Sequence, residues 1–173
     1  MLTEIFADKT LKPKQKVLQL GNQLLQKRLS VDELVAFAAL AKDPVKASCI
    51  EALEIATAQE PALLKKRAFL FVTEQLRANA PRVKWESASV IANTARLFPS
   101  ELDTAIKELL INSEHSGTVV RWSAAKALAA MLSLHTPHKK DLLPALESIL
   151  AREEDNAIRK IYQAAIKKEK GKS

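Results

Sequence analysis

An internal repeat is the feature that most constrains how this chain folds. A β-branched residue followed by a basic residue occurs four times, and the basic members are 38, 37 and 38 residues apart. A small or apolar doublet follows each pair at the same offset. Self-similarity at this period predicts a repeat architecture in which each unit buries its apolar face against the next. The four pairs are Val45-Lys46, Val83-Lys84, Val120-Arg121 and Ile158-Arg159.

Each unit has the pattern of two α-helices. From Val120 to Leu132 the apolar residues recur at intervals of three and four, which places them on one face of a 3.6-residue helix. The segment before it shows the same spacing from Leu102 to Leu110. No stretch has the pattern of a strand, so we expect an all-α chain. The predicted helices are 2–9, 14–28, 31–41, 44–59, 61–78, 82–98, 100–112, 118–134, 140–152 and 156–169.

Polar and proline residues mark the expected helix starts. Ser30 with Glu33, and Ser100 with Asp103, have the spacing of capping boxes ahead of apolar runs. Pro61 is expected in the first turn of a helix, where its missing N–H has no intrahelical partner. The same argument places Pro144 in the first turn of a helix that starts near residue 140.

The repeated units resemble a known family. The segments PVKASCIEAL, RVKWESASVI and VVRWSAAKAL are similar to the second helices of HEAT repeats, which commonly carry a Val-Arg pair followed by small and aliphatic residues. The resemblance implies a right-handed α-α superhelix (a HEAT/ARM-like solenoid) of about five hairpins with an extended concave surface. It implies one domain over 1–173, with 1–30 as an atypical N-terminal cap, 31–170 as repeats and 171–173 as a flexible tail.

In HEAT repeats the basic residue commonly bonds an acidic residue or a carbonyl in the turn before its helix. Asp43 before Lys46, and Asp155 before Arg159, fit that role. Lys84 and Arg121 have Ala80 and Gly117 four residues earlier. One interpretation is that all four basic residues are bonded inside the stack. The competing hypothesis is that Lys84 and Arg121 are less neutralised than their neighbours and could receive an external carboxylate or phosphate.

Two tryptophans, Trp85 and Trp122, occupy the same repeat position. The equivalent residues Ala47 and Lys160 indicate that this position lies outside the core. One hypothesis is a partner-binding strip on the second-helix face, because Trp is enriched where partners bind. The alternative is that the indoles only pack between helices. The predicted partner-binding residues are Trp85, Trp122, Lys84, Arg121, Lys126, Arg96 and Lys160.

Charge along the second helices changes sign. Glu51, Glu54 and Glu86 lie in the earlier units, and Arg96, Lys126, Lys160, Lys167 and Lys168 lie in the later ones. A strip of this kind suits a protein or peptide segment better than a uniform polyanion.

No catalytic signature is present, so we expect no enzyme activity, no cofactor and no metal. Three glycines exclude Gly-rich phosphate loops, and a single cysteine excludes an internal disulfide framework. Cys49 has the setting of a buried small hydrophobe. His135 and His138 lack both a helical i, i+4 spacing and a convincing third metal ligand.

The main prediction is a non-catalytic scaffold that binds a protein or peptide through its concave face. Nucleic-acid binding is the alternative, because the net charge is +7 and indoles stack on bases. The HEAT-like DNA-alkylation-repair glycosylases carry a catalytic Asp, but Ser89 and Lys126 stand four residues after the tryptophans here. Bilin lyases are a third HEAT-like class, which only the repeat supports. Without an apolar leader or membrane span, a cytoplasmic location is expected.

Overall fold

A computed structural model describes residues 1–172 of the chain. Within these residues there are ten α-helices and no strand, so the predicted all-α fold is confirmed. Three short 3₁₀ turns lie at Pro61–Leu63, Ala95–Leu97 and Pro99–Glu101. The helices are α1 (Leu2–Ala7), α2 (Pro13–Leu25), α3 (Val31–Leu40), α4 (Asp43–Gln59), α5 (Lys66–Gln75), α6 (Pro81–Thr94), α7 (Leu102–Asn112), α8 (Thr118–Leu132), α9 (Lys139–Arg152) and α10 (Asn156–Lys170).

The helices from α3 to α10 form four consecutive pairs that stack in chain order. Ahead of them α2 packs on α4, and α1 contacts α3 through the stacked rings of Phe6 and Phe37. The second helices α2, α4, α6, α8 and α10 pack extensively on one another, whereas contacts among the first helices are sparse. Because the row of second helices is the more compact, the stack curves with that row on its concave side. This is the architecture of an α-solenoid.

Small side chains allow the second helices to approach one another closely. Ala52, Ala88 and Ala124 are at most 1% exposed, on α4, α6 and α8. On α2 the same role falls to Gly21, because a Cβ there would lie 3.1 Å from Cγ2 of Ile55. Larger aliphatic residues fill the space between the rows, where Leu128 is fully buried as predicted.

The predicted helix starts are confirmed only in part. Ser30 accepts a hydrogen bond from the Glu33 N–H at 3.1 Å, and Glu33 accepts one from the Ser30 N–H, so this capping box is present. The box at Ser100 is wrong, because that residue lies in a 3₁₀ turn and α7 begins at Leu102. Pro61 starts a 3₁₀ turn, and α5 begins later, at Lys66. Pro144 lies in the second turn of α9 rather than the first.

The repeated basic residues join successive hairpins. Lys84 Nζ donates to the carbonyl oxygen of Leu76 at 3.1 Å and to Oδ1 of Asn112 in the next hairpin, also at 3.1 Å. Arg121 donates to the carbonyl oxygen of His115 and forms a two-bond pair with Glu153 of the next hairpin, at 3.1 and 3.4 Å. For Arg121 the interpretation that the basic residue is bonded inside the stack is therefore correct, and the hypothesis that it is less neutralised is wrong. Its carboxylate comes from the following unit, not from the turn before it.

The outer pair of basic residues also differs from expectation. Arg159 donates to the carbonyl oxygens of Leu150 and Glu153, both at 2.7 Å, which satisfies the carbonyl form of the prediction. The Asp155 carboxylate does not bond the Arg159 guanidinium and instead caps α10 by accepting from the Ile158 N–H. No ion pair joins Lys46 to Asp43 among the residues that the structure describes.

Ion pairs close the last hairpin. Lys139 on α9 pairs with Glu169 on α10 at 2.6 Å, and Lys170 lies 3.5 Å from Glu147. Of the tail predicted at 171–173, Gly171 and Lys172 form a turn after α10, and Ser173 lies outside the described residues. None of the helices in the described part of the chain is long and apolar enough to cross a membrane.

Candidate functional site

The concave side presents three rows of residues that repeat in register on α4, α6, α8 and α10. Each row takes one residue from each helix, at the same 38, 37 and 38 residue spacing as the basic pairs. We call these twelve residues the concave strip. The first row is Ala47, Trp85, Trp122 and Lys160; the second is Glu51, Ser89, Lys126 and Ala164; the third is Glu54, Ala92, Ala129 and Lys167.

The two tryptophans lie on adjacent helices of the strip but differ in exposure. Trp122 is 38% exposed, and Lys126 Nζ lies 4.7 Å above its ring centroid, which is a cation–π contact. Trp85 is partly buried, and its indole N–H donates to Oε1 of Glu86 at 3.0 Å. The inference that this position lies outside the core fails at Ala47, which is 1% exposed. An alanine at this position is too short to reach solvent.

Three carboxylates gather between α4 and α6. Burial, then repulsion from Glu51, raises the pKa of Glu86 to about 7, although the Trp85 N–H opposes the shift. Burial and Glu51 also raise the pKa of Glu54, and Lys126 opposes that shift. Glu51 is held by Arg82 Nη2 at 2.6 Å. The region between these helices is therefore negative, with one arginine against three carboxyl groups.

The opposite half of the strip is positive. Lys126, Lys160 and Lys167 are exposed, and none of them forms an ion pair with another described residue. Lys168 is exposed on α10 beside a shallow groove between α8 and α10. Small apolar residues, among them Ala130, line this groove. The sign change expected from the sequence thus lies along one continuous surface.

The structure brings only part of the predicted site together. Trp85, Trp122, Lys126 and Lys160 lie on the strip. Lys84 and Arg121 face the turns between hairpins, where backbone and side-chain acceptors already bind them. Arg96 is exposed in the 3₁₀ turn that continues α6, beyond the third row.

Two residues at the strip were not predicted. Arg82 bridges α6 to α4 through Glu51, and it lies four residues before Glu86, so the i, i+4 spacing was a usable signal. Asn93 donates to the carbonyl oxygen of Glu54 and to the Thr57 hydroxyl, both at 3.2 Å. No sequence pattern marks Asn93, because its partners are 36 and 39 residues away.

The other candidate groups offer no site. Cys49 is fully buried as predicted, and desolvation raises the pKa of its thiol to about 12. His138 occupies the N-cap position of α9 without a capping hydrogen bond from its side chain, and His135 is exposed in the segment before it. Across residues 1–172, no group of three His, Cys, Asp or Glu side chains is arranged to hold a metal ion.

Neither a protein-family model nor a curated protein sequence matches the chain. Solved structures do. A designed armadillo repeat protein superposes with a TM-score of 0.74 at 18% identity, over 97% of this chain and 80% of that one. Another, in complex with the peptide (KR)4, gives 0.78 at 20% identity over the same shares. An engineered protein gives 0.72 at 21% identity, over 98% and 80%. The fold is an armadillo-type α-solenoid.

Proposed function

We propose that the chain is a non-catalytic scaffold that binds an extended protein or peptide segment along the concave strip. The observation that carries this proposal is the pair of indoles at the same register on α6 and α8, on the face that the stack leaves uncovered. Trp residues at such positions supply large contact areas at low entropic cost. We extend the proposal to HEAT-like units and a cytoplasmic setting, as the sequence predicts.

The similar structures support the proposal. One of the designed armadillo proteins is in complex with the peptide (KR)4, so this architecture accommodates a basic peptide. The strip here offers carboxylates near Trp85 that suit such a chain, and it offers lysines farther along that do not. A uniform polyanion would be attracted by the lysines, but its phosphates would be repelled by Glu51, Glu54 and Glu86. We therefore favour a peptide over a nucleic acid.

Panning tests the proposal. A phage-displayed library of 16-residue peptides is selected on the immobilised chain. Retained peptides are then synthesised with a fluorescein label, and their affinity is measured by fluorescence polarisation, which does not depend on the tryptophans. We expect W85A/W122A to weaken binding at least about tenfold, a change of about 1.4 kcal/mol. Leu70→Ala is the matched control, because Leu70 is 43% exposed on the outer helix α5.

Circular dichroism shows whether the double variant keeps its helices. Equal binding by the wild type and a folded W85A/W122A variant contradicts the proposal. Loss of helicity in that variant identifies the indoles as packing residues. Binding to single-stranded DNA that falls steeply with salt, together with no retained peptide, favours the nucleic-acid alternative.

A further inference from the structure

Charge is distributed unevenly along the concave strip, with most carboxylates toward one end and most lysines toward the other. Glu51, Glu54 and Glu86 lie between α4 and α6. Lys126, Lys160 and Lys167 lie on α8 and α10. Trp85 and Trp122 lie between these two regions, so a ligand that covers the indoles meets both.

We propose that the concave strip binds an extended segment in one fixed orientation, with a basic side chain between α4 and α6 and an acidic side chain over α8 and α10. This inference rests on the proposed function. The occupant is a peptide that is basic at one end and acidic at the other. Such a peptide is complementary to the strip, whereas a purely basic or purely acidic chain is repelled at one end.

The side chains already in place favour both contacts. Glu54 makes no ion pair among the described residues, and Arg82 alone serves Glu51. An incoming guanidinium would therefore find a negative region that Arg82 and Lys126 compensate only in part. At the other end the exposed lysine ammonium groups offer donors, and Lys126 is already held above the Trp122 ring.

Helix geometry sets the distance between the two charged ends of the ligand. Packed helices lie about 8–10 Å apart, so the two halves, two helices apart, are separated by about 16–20 Å. An extended chain rises about 3.3 Å per residue. The basic and acidic side chains of the ligand are therefore about five or six residues apart.

Protonation of Glu86 adds a pH dependence to the binding of the basic end. The charged groups that face Glu86 from α4 and α6 are Glu51, Glu54 and Arg82. Burial, and then repulsion from the neighbouring carboxyl groups, raises the pKa of Glu86 to about 7. A basic side chain binds the ionised carboxylate, so the affinity for the basic end should rise between pH 6 and pH 8.

Three fluorescein-labelled peptides test the orientation. The segregated probe has two arginines, five neutral residues including a tyrosine, and two glutamates. The mixed probe has the same composition with alternating charges, and the basic probe has four arginines. We expect the wild type to bind the segregated probe about tenfold more tightly than the mixed probe, as expected for several weak exposed pairs acting together. The basic probe should bind less tightly than the segregated one.

Charge reversal provides the matched comparison. K126E/K167E should lose the preference for the segregated probe and bind the basic probe more tightly than the wild type does. K107E/K140E makes the same change in net charge on the outer helices α7 and α9 and should leave both affinities unchanged.

A nitroxide label on one or the other end of the segregated probe shows the direction in which the peptide binds. In the single-tryptophan variants Trp122→Phe and Trp85→Phe, a label on the basic end should quench Trp85 more, and one on the acidic end should quench Trp122 more. Equal affinity for segregated and mixed probes, or equal quenching, overturns the orientation but leaves the proposed function standing. Failure of every probe and every library peptide overturns both.

Discussion

Glu153→Gln tests whether the side chains that join successive hairpins stabilise the stack. Oε2 of Glu153 accepts from Arg121 Nε at 3.1 Å. Oε1 accepts from Arg121 Nη2 at 3.4 Å and from the backbone N–H groups of Glu154 and Asp155 at 3.1 and 3.0 Å. A glutamine that keeps its oxygen at Oε1 retains the loop bonds. It removes the charge and turns an NH₂ group toward the guanidinium.

The expected cost follows from burial. The Glu153 side chain is 5% exposed and that of Arg121 is 21% exposed. A hydrogen bond to a charged group contributes about 1.5–3 kcal/mol, and breaking a fully buried pair costs about 3–5 kcal/mol. Arg121 keeps its carbonyl acceptors, so we expect Glu153→Gln to cost about 1.5–3 kcal/mol. Glu153→Ala also loses both loop bonds and should cost about 3–5 kcal/mol.

Urea unfolding followed by circular dichroism at pH 7 measures the loss. Because hairpins of a solenoid can open separately, hydrogen exchange of the α10 amides measures the local effect. Glu114→Gln is the matched control, since the Arg152–Glu114 pair is about half exposed and should contribute less than about 1 kcal/mol. A Glu153→Gln variant that is as stable as the control would refute the idea that the Arg121–Glu153 pair stabilises the contact between hairpins.

The loss of stability at acidic pH provides a second test of the Glu153 carboxylate. Desolvation tends to raise the pKa of Glu153, but the Asp155 N–H and Arg121 outweigh it, so the pKa lies below its ordinary value. The folded state therefore binds this proton less readily than the unfolded state. Its stabilisation is present above about pH 4.5 and is lost as the pH falls further. Glu153→Gln should lose less stability than the wild type over that range.

Three further predictions concern other parts of the stack. Leu128→Ala should cost about 2–5 kcal/mol in urea unfolding, because the side chain is fully buried, and a negligible loss would contradict its place in the core. Ser30→Ala should cost about 0.5–2 kcal/mol through the lost cap of α3, whereas Ser100→Ala, at a position with no cap, should leave the melting temperature unchanged. Glu86→Gln should raise the melting temperature at pH 8 more than at pH 5. The raised pKa of Glu86 means that wild-type stability falls as the pH rises from about 4.5 to 7, and an equal effect at both pH values would contradict that.

The architecture was predictable from the sequence because it depends on local patterns. Apolar spacing of three and four residues marks each helix, and the 37–38 residue period shows that the units are equivalent. The ten predicted helices correspond to the ten observed in the described residues. Helix starts were less predictable. Ser30 and Ser100 have the same spacing to an acidic residue, but the chain before α7 forms a 3₁₀ turn that shifts the start to Leu102.

The candidate site was predictable only where a side chain has no partner in another repeat. The register of Trp85 and Trp122, and the charge gradient, followed from the period alone. The environment of Arg121 could not be predicted from the period, because its partner Glu153 is 32 residues away and on the loop of another hairpin. Ala47 shows a related limit. Residues at one repeat position point in the same direction from the helix, but their side chains differ in length, and that length decides which of them reaches solvent.

The alanines between the second helices make the arc of the solenoid adjustable. A bulkier residue at Ala88 or Ala124 would push neighbouring second helices apart on the concave side and increase the radius of curvature of the solenoid. The two charged halves of the strip would then move apart although no residue on its surface had changed. Substitutions hidden beneath the groove would in this way change the length of ligand that the strip accommodates.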